Sequence, residues 1–199
     1  MPAKNIVKNY ASDSYYHVYN RGVNKSEIFN DNEDYEVFIG LLKRYLSNQP
    51  QKNGNRQGYK KLTEDVALLS YCLMPNHFHL LLYEKSGEGM RELLKRVSVS
   101  YGMYFNKKYR RVGAVFQQRY RAVRIESDSQ LAHISRYIHM NPKGYKEWPF
   151  SSLRYYLGSS KADWIHASWH PNVGDYLLYL EVYEDRREEL EELKDELAG

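Results

Sequence analysis

The chain has 199 residues, a net charge of +4, one cysteine and 20 tyrosines, a size that suits one domain with appendages. The lone Cys72 excludes an intrachain disulfide, no run approaches the ~20 apolar residues of a membrane span, and residues 1–14 lack the apolar centre of a signal peptide. A cytoplasmic protein without a membrane partner is expected.

Residues 14–20, SYYHVYN, alternate aromatic and polar positions and predict a strand, ended by Arg21-Gly22. Residues 33–46 predict a helix capped by Asn30 or Asp31, with Phe38, Leu41, Leu42 and Tyr45 on one face. Residues 47–63 are polar and read as an exposed loop. Residues 65–74 form an apolar run that predicts a buried strand, in which Cys72 is inert. Pro75-Asn76 breaks it, and 77–83 returns as a second strand, giving an antiparallel hairpin.

Gly87 and Gly89 precede a predicted helix over 90–109, whose apolar stripe is Leu93, Leu94, Val97, Tyr101, Tyr104 and Phe105. Its other face is basic. Residues 91–124 hold ten Lys or Arg against one acid, Glu92, a concentration of the kind that neutralises phosphates. Residues 119–126 alternate as a strand. Ser127 or Asp128 caps a last core helix that runs to Asn141, where Pro142 stops it.

The order strand, helix, strand, strand, helix, strand predicts an α+β fold: a ferredoxin-like antiparallel sheet with two helices on one face. The core spans 1–142. Residues 143–173 read as a linker with a short helix, and 174–199 as an acidic C-terminal helix carrying nine acids against three bases in 181–199. That helix could cover the basic groove, pair two chains as a homodimer, or simply pack.

His77 and His79 are two apart in a predicted strand, so both imidazoles project from one face while Phe78 faces the core. Paired imidazoles are natural metal ligands, although His-x-His alone is more often structural. The surrounding string Met74-Pro75-Asn76-His77-Phe78-His79-Leu80-Leu81-Leu82 resembles the His-hydrophobe-His signature of the HUH nucleases. More narrowly, the chain resembles the single-tyrosine transposases of the REP-associated branch. That likeness continues through Ser100-Tyr101, Tyr104-Phe105-Asn106, Phe116-Gln117-Gln118-Arg119-Tyr120 and Ser135-Arg136-Tyr137-Ile138-His139-Met140-Asn141-Pro142, and covers about residues 14–157.

The resemblance implies cleavage and rejoining of single-stranded, hairpin-bearing DNA with a divalent metal. It implies Tyr137 as nucleophile and Asn141, four residues on, as third metal ligand beside His77 and His79. A phenol titrates near pH 10, so at neutral pH it needs a route for its proton and a polarised phosphate. Two imidazoles and a neutral amide suit Mg²⁺ or Mn²⁺, nitrogen donors favouring Mn²⁺. Arg96, Lys107, Lys108, Arg110, Arg111, Arg119, Arg121 and Arg124 are the expected DNA contacts. Tyr104 and Tyr109 are candidate stacking platforms, Tyr104 reading better as core. His139 points away from Tyr137 and reads as structural. His133 and His17 carry no motif, though the strand position of His17 is compatible with the site. A nucleic-acid-binding regulator without catalysis, and a replication-initiator or relaxase relative, are the alternatives.

Overall fold

A computed structural model describes residues 10–49, 58–167 and 175–184. Strands β1 (Ser14–Arg21), β2 (Val66–Met74), β3 (His77–Glu84) and β4 (Arg121–Ile125) form one antiparallel sheet in the order β2-β3-β1-β4. This is the ferredoxin-like sheet that the element order predicts, with β1 and β3 at its centre. The β2–β3 hairpin turns at Pro75-Asn76, as expected, and pairs Met74 with His77.

One sheet face is apolar at its centre. Tyr16, Val18, Phe78, Leu80 and Leu82 are buried there beneath α1 (Asn32–Leu46) and α2 (Gly89–Lys108). Asp31 caps α1 by accepting from the Asp34 N–H at 3.1 Å. The two helices meet through Phe38 and Tyr101, whose rings pack edge-on at 5.2 Å, and the Tyr101 hydroxyl donates to the Ile28 carbonyl.

The start of α2 is satisfied from outside the helix. Its first residues offer N–H groups that have no partner within the helix. The fully buried Glu84 carboxylate, at the end of β3, accepts from the N–H groups of Ser86, Gly87, Gly89 and Met90 at 2.7–3.1 Å. An anion at a helix N-terminus also complements the helix dipole. Gly89 has a steric reason as well: a Cβ there would lie 2.6 Å from the Asp65 backbone.

The other face carries α3 (Asp128–His139), capped by Ser127, whose Oγ accepts from the Gln130 N–H. Leu131, Ile134 and Ile138 pack on Leu69, Leu81 and Ile125. The sheet is therefore covered on both sides: two helices on the expected face and the third opposite them. α3 ends at His139, two residues before the predicted end, so Asn141 sits in the following turn rather than on the helix.

Residues 143–167, expected as part of a linker, close the β2 edge. The Leu73 N–H donates to the Phe150 carbonyl and the Ser152 N–H to the Tyr71 carbonyl, while Trp148 Nε1 donates to the Leu73 carbonyl. Phe150 stacks on Tyr35 with centroids 3.9 Å apart. An edge strand covered in this way has no free ladder to offer another chain. The short α4 (Leu153–Tyr156) follows, and residues 176–184 are helical, seating Tyr176 and Leu180 against Tyr145 and Leu153. The remainder of the predicted acidic helix and residues 50–57 of the predicted loop lie outside the described residues. At the end of that loop, Leu62 is buried rather than exposed. No helix among the described residues is long and apolar enough to cross a membrane.

Replacing Glu84 with Ala removes the acceptor of four N–H groups, of which those of Gly89 and Met90 are buried. The expected loss is about 3 kcal/mol, read as a lower urea midpoint. Glu84→Gln, which keeps an acceptor, is expected to fall between Glu84→Ala and the parent. An unchanged midpoint in Glu84→Ala would refute the capping role.

Candidate active site on the histidine face of the sheet

Strand parity decides which residues share the α3 side. Phe78, Leu80 and Leu82 face α1 and α2, so His77 and His79 face the other way, as the sequence predicts. Their ring centroids are 5.0 Å apart. Across the β1–β3 ladder, Tyr19 pairs with His79, which brings β1 residues of the same parity, His17 and Tyr19, beside them.

The orientation of His77 is set by the hairpin turn. Asn76 Nδ2 donates to the Lys25 carbonyl at 3.2 Å, which fixes the amide and turns its Oδ1 toward His77 Nδ1 at 2.6 Å. His77 Nδ1 must therefore be the protonated nitrogen, and Nε2 keeps its lone pair. That Nε2 lies 3.2 Å from Asn141 Oδ1. Either the Asn141 amide turns to donate its Nδ2–H to this lone pair, or both acceptors share a cation. The turn itself is held from below: the Gly22 N–H donates to the Asn76 carbonyl, and the Ile28 and Phe29 N–H groups to that of Pro75, at 2.7–3.0 Å.

His79 is nearly enclosed, 6% exposed, and its Nδ1 lies 2.9 Å from His17 Nε2. Tyr137 projects from α3 over this pair. Its ring meets His79 edge-on at 5.4 Å and His17 at 5.9 Å, while 44% of the residue remains exposed. The structure thus gathers Tyr137, His77, His79 and Asn141 at one place. It adds His17 and Asn76, which sequence reasoning did not assign. The parity of β1 was legible for His17, but its neighbour across the sheet was not.

Burial holds the imidazoles in their neutral form. Desolvation lowers His77, and Arg21 nearby lowers it further against the opposing effect of Asn141. Desolvation pushes His79 well below the usual histidine range, with His17 and His77 adding to it. His17 falls to about 4 for the same reason. Neutral imidazoles are what a cation requires of its ligands. Among the described residues no three His, Cys, Asp or Glu side chains converge as a metal cluster, and the group that Asn141 adds beside His77 is an amide oxygen. Two nitrogens and one amide oxygen fit an octahedral Mg²⁺ or Mn²⁺ with positions to spare.

Two clefts open from this centre. One of about 450 Å³ holds His17, His79, Gln130, His133 and Tyr137. The other, of about 440 Å³, holds His77, Asn76, Arg21, Lys25, Gln117, Gln118 and Arg121, and Tyr19 lines both. Of the expected DNA contacts, Arg121 lies in this second cleft. Arg110, Arg111 and Arg119 are exposed on the segment that leads into its wall. Lys107 is exposed on α2, and Arg124 opens beside Asp13, Glu126 and Asp128.

Arg96 and Lys108 are placed otherwise. Arg96 bonds Glu92 on its own helix and lies over Tyr45. Lys108 is committed to Asp31, Glu33 and Asp34 at 2.8–2.9 Å. Tyr104 and Tyr109 both donate to the buried Asp34, and the Lys108 ammonium lies over both rings. His139 is structural, as expected. It is buried, with Nδ1 on the Tyr176 hydroxyl and Nε2 on Ser152 Oγ, both at 2.7 Å.

The sequence pattern described as "Transposase IS200 like" matches residues 10–141, a span that holds β1 to β4 and the four gathered site residues. The chain belongs to the IS200-like transposase family. Among solved structures, one titled as a REP-associated tyrosine transposase bound to a REP hairpin shares the fold, with a TM-score of 0.52 and 15% identity over 82% of this chain and 92% of that one. A protein of Deinococcus radiodurans R1 designated a transposase matches with a TM-score of 0.41 and 14% identity, over 69% of this chain and 95% of that one. No curated protein sequence matches.

The three imidazoles give the metal-free protein an acid-sensitive core. Each is depressed below its ordinary value of 6.5, so below that pH the unfolded chain takes up protons that the folded chain refuses. Stability is full above pH 6.5 and is lost toward about 4, the value for His17. Urea midpoints should drop between pH 7.5 and 5, and the drop should be smaller in His17→Phe. An equal drop in both proteins would contradict this.

Proposed function

We propose that this transposase nicks and rejoins single-stranded DNA through Tyr137, with a divalent cation held by His77, His79 and Asn141. The observation that carries the reading is the meeting of three things at one point: an exposed phenol, the imidazole pair, and the facing acceptors His77 Nε2 and Asn141 Oδ1. The REP-hairpin complex of the structural neighbour supports a hairpin-bearing DNA partner.

When bound, the ion supplies Lewis acidity toward a non-bridging phosphate oxygen. Tyr137 gives up its phenolic proton and its oxygen bonds to phosphorus. One bridging P–O bond breaks, and the departing oxygen leaves as a hydroxyl, so one proton is lost and one gained. The phosphotyrosine keeps the phosphodiester energy for rejoining. The cleft beside His77 offers Arg21, Lys25 and Arg121 to backbone phosphates and the amides of Gln117 and Gln118 to bases. Arg110, Arg111, Arg119, Lys107 and Arg124 extend this positive surface. Arg96 and Lys108 serve the helix layer through their carboxylate partners.

Incubation with hairpin-bearing single-stranded oligonucleotides and Mn²⁺ is expected to give a covalent protein–DNA adduct on denaturing gels. Tyr137→Phe should abolish the adduct and leave binding within about threefold, since only the attacking oxygen is lost. An adduct in the phenylalanine variant would assign the nucleophile elsewhere. Tight binding with no cleavage by the parent protein would instead favour a binding regulator on the same fold.

The basic residues should separate by role. Arg121→Ala is expected to weaken binding across sequences and to reduce the salt slope of single-strand binding by roughly 0.7. Lys108→Ala should leave that slope unchanged and lower the thermal midpoint, because it leaves the buried Asp34 without its cation. Equal salt-slope changes in both variants would overturn the division.

A further inference from the structure

We infer that His17 is the positioning residue that fixes the tautomer of His79 and so decides which nitrogen His79 presents to the site. The inference rests on the metal reading above and extends it to a residue that no motif marks.

His17 Nε2 and His79 Nδ1 are 2.9 Å apart, and each is the other's only hydrogen-bond partner among the described residues. Between two neutral imidazoles this contact holds one proton. If the proton sits on His17 Nε2, His79 carries its own proton on Nε2 and has no lone pair for a cation. If it sits on His79 Nδ1, His79 Nε2 is free to ligate. The neighbouring ligand shows the second arrangement. His77 donates from Nδ1 to Asn76 Oδ1, whose direction is fixed by Lys25, and turns Nε2 toward Asn141. His79 lies on the same strand face two residues on, and His17 stands behind it as Asn76 stands behind His77.

His17 is built to hold that position. It is 8% exposed, meets His79 edge to edge with centroids 5.1 Å apart and planes 23° apart, and lies 5.2 Å from the Tyr19 ring. Metal-binding histidines commonly donate their second N–H to a carboxylate or carbonyl, which orients the ring and raises its basicity. Here the acceptor is a neutral ring, and the donor set contains no anion. The arrangement orients His79 without adding negative charge, so a bound cation keeps its full pull on phosphate.

The test uses the metal-free protein with ¹⁵N-labelled histidine and long-range ¹H–¹⁵N correlation. The wild type is expected to show His79 as the Nδ1–H form. His17→Phe, similar in shape but without an acceptor, should lose that preference, and His17→Gln, which offers a carbonyl, should restore it. In parallel, calorimetric titration with Mn²⁺ alone should show about 10- to 100-fold weaker binding in His17→Phe. Binding in His17→Gln should recover to within about threefold of the wild type. An Nε2–H form of His79 in the wild type, or an unchanged His79 in His17→Phe, would overturn the assignment, and the wild-type spectrum decides even if a variant fails to fold. A wild type that shows the Nδ1–H form yet binds no Mn²⁺ would sink the metal reading while supporting the role of His17.

Discussion

The central antiparallel pairing of β1 with β3 is the constraint on which the rest depends. It fixes parity for both strands at once. With Phe78, Leu80 and Leu82 committed to the α1 and α2 layer, His77 and His79 have no choice of face. The same ladder carries Val18 into that layer and leaves His17 and Tyr19 with the histidines. A register slip of one residue would exchange the two sets, placing imidazoles in the apolar core and apolar side chains at the site. The burial of one face therefore specifies the chemistry of the other.

Around that pairing, the ends of elements do most of the positioning. The Pro75-Asn76 turn is anchored by backbone donors from Gly22, Ile28 and Phe29, and its side-chain amide aims His77. Glu84 at the far end of β3 ties the same strand to the start of α2. Asn141 reaches His77 because α3 ends at His139 and the chain turns before Pro142. The site is held at both ends of one strand and roofed by one helix, so Tyr137 can be exposed without the histidines beneath it being loose.

The basic segment shows how charge in a sequence divides once it is folded. The run from 91 to 124 is a sound sign of an anionic partner in aggregate, but its members differ. Lys108 pairs with three acids at the head of α1, and Arg96 answers Glu92. Both sit in the helix layer across the sheet from the histidines. Arg121 instead shares the cleft with His77 and joins two cations from outside the run, Arg21 and Lys25. Tyrosine divides in the same way. Tyr104 and Tyr109 serve Asp34, Tyr176 serves His139, and Tyr137 alone of these four reaches the site.

The sequence by itself determined the strand and helix order, the ferredoxin-like sheet and the common face of His77 and His79, because these follow from local periodicity, while the candidacy of Tyr137 and Asn141 came from the resemblance to the single-tyrosine transposases. It could not determine what lies across the sheet. That α3 covers the face opposite α1 and α2, that His17 stands behind His79, that Asn76 fixes His77, and that Lys108 is spent on carboxylates are all contacts between distant parts of the chain. Tertiary structure decided them through sheet order and side-chain hydrogen bonding, neither of which leaves a period in the sequence.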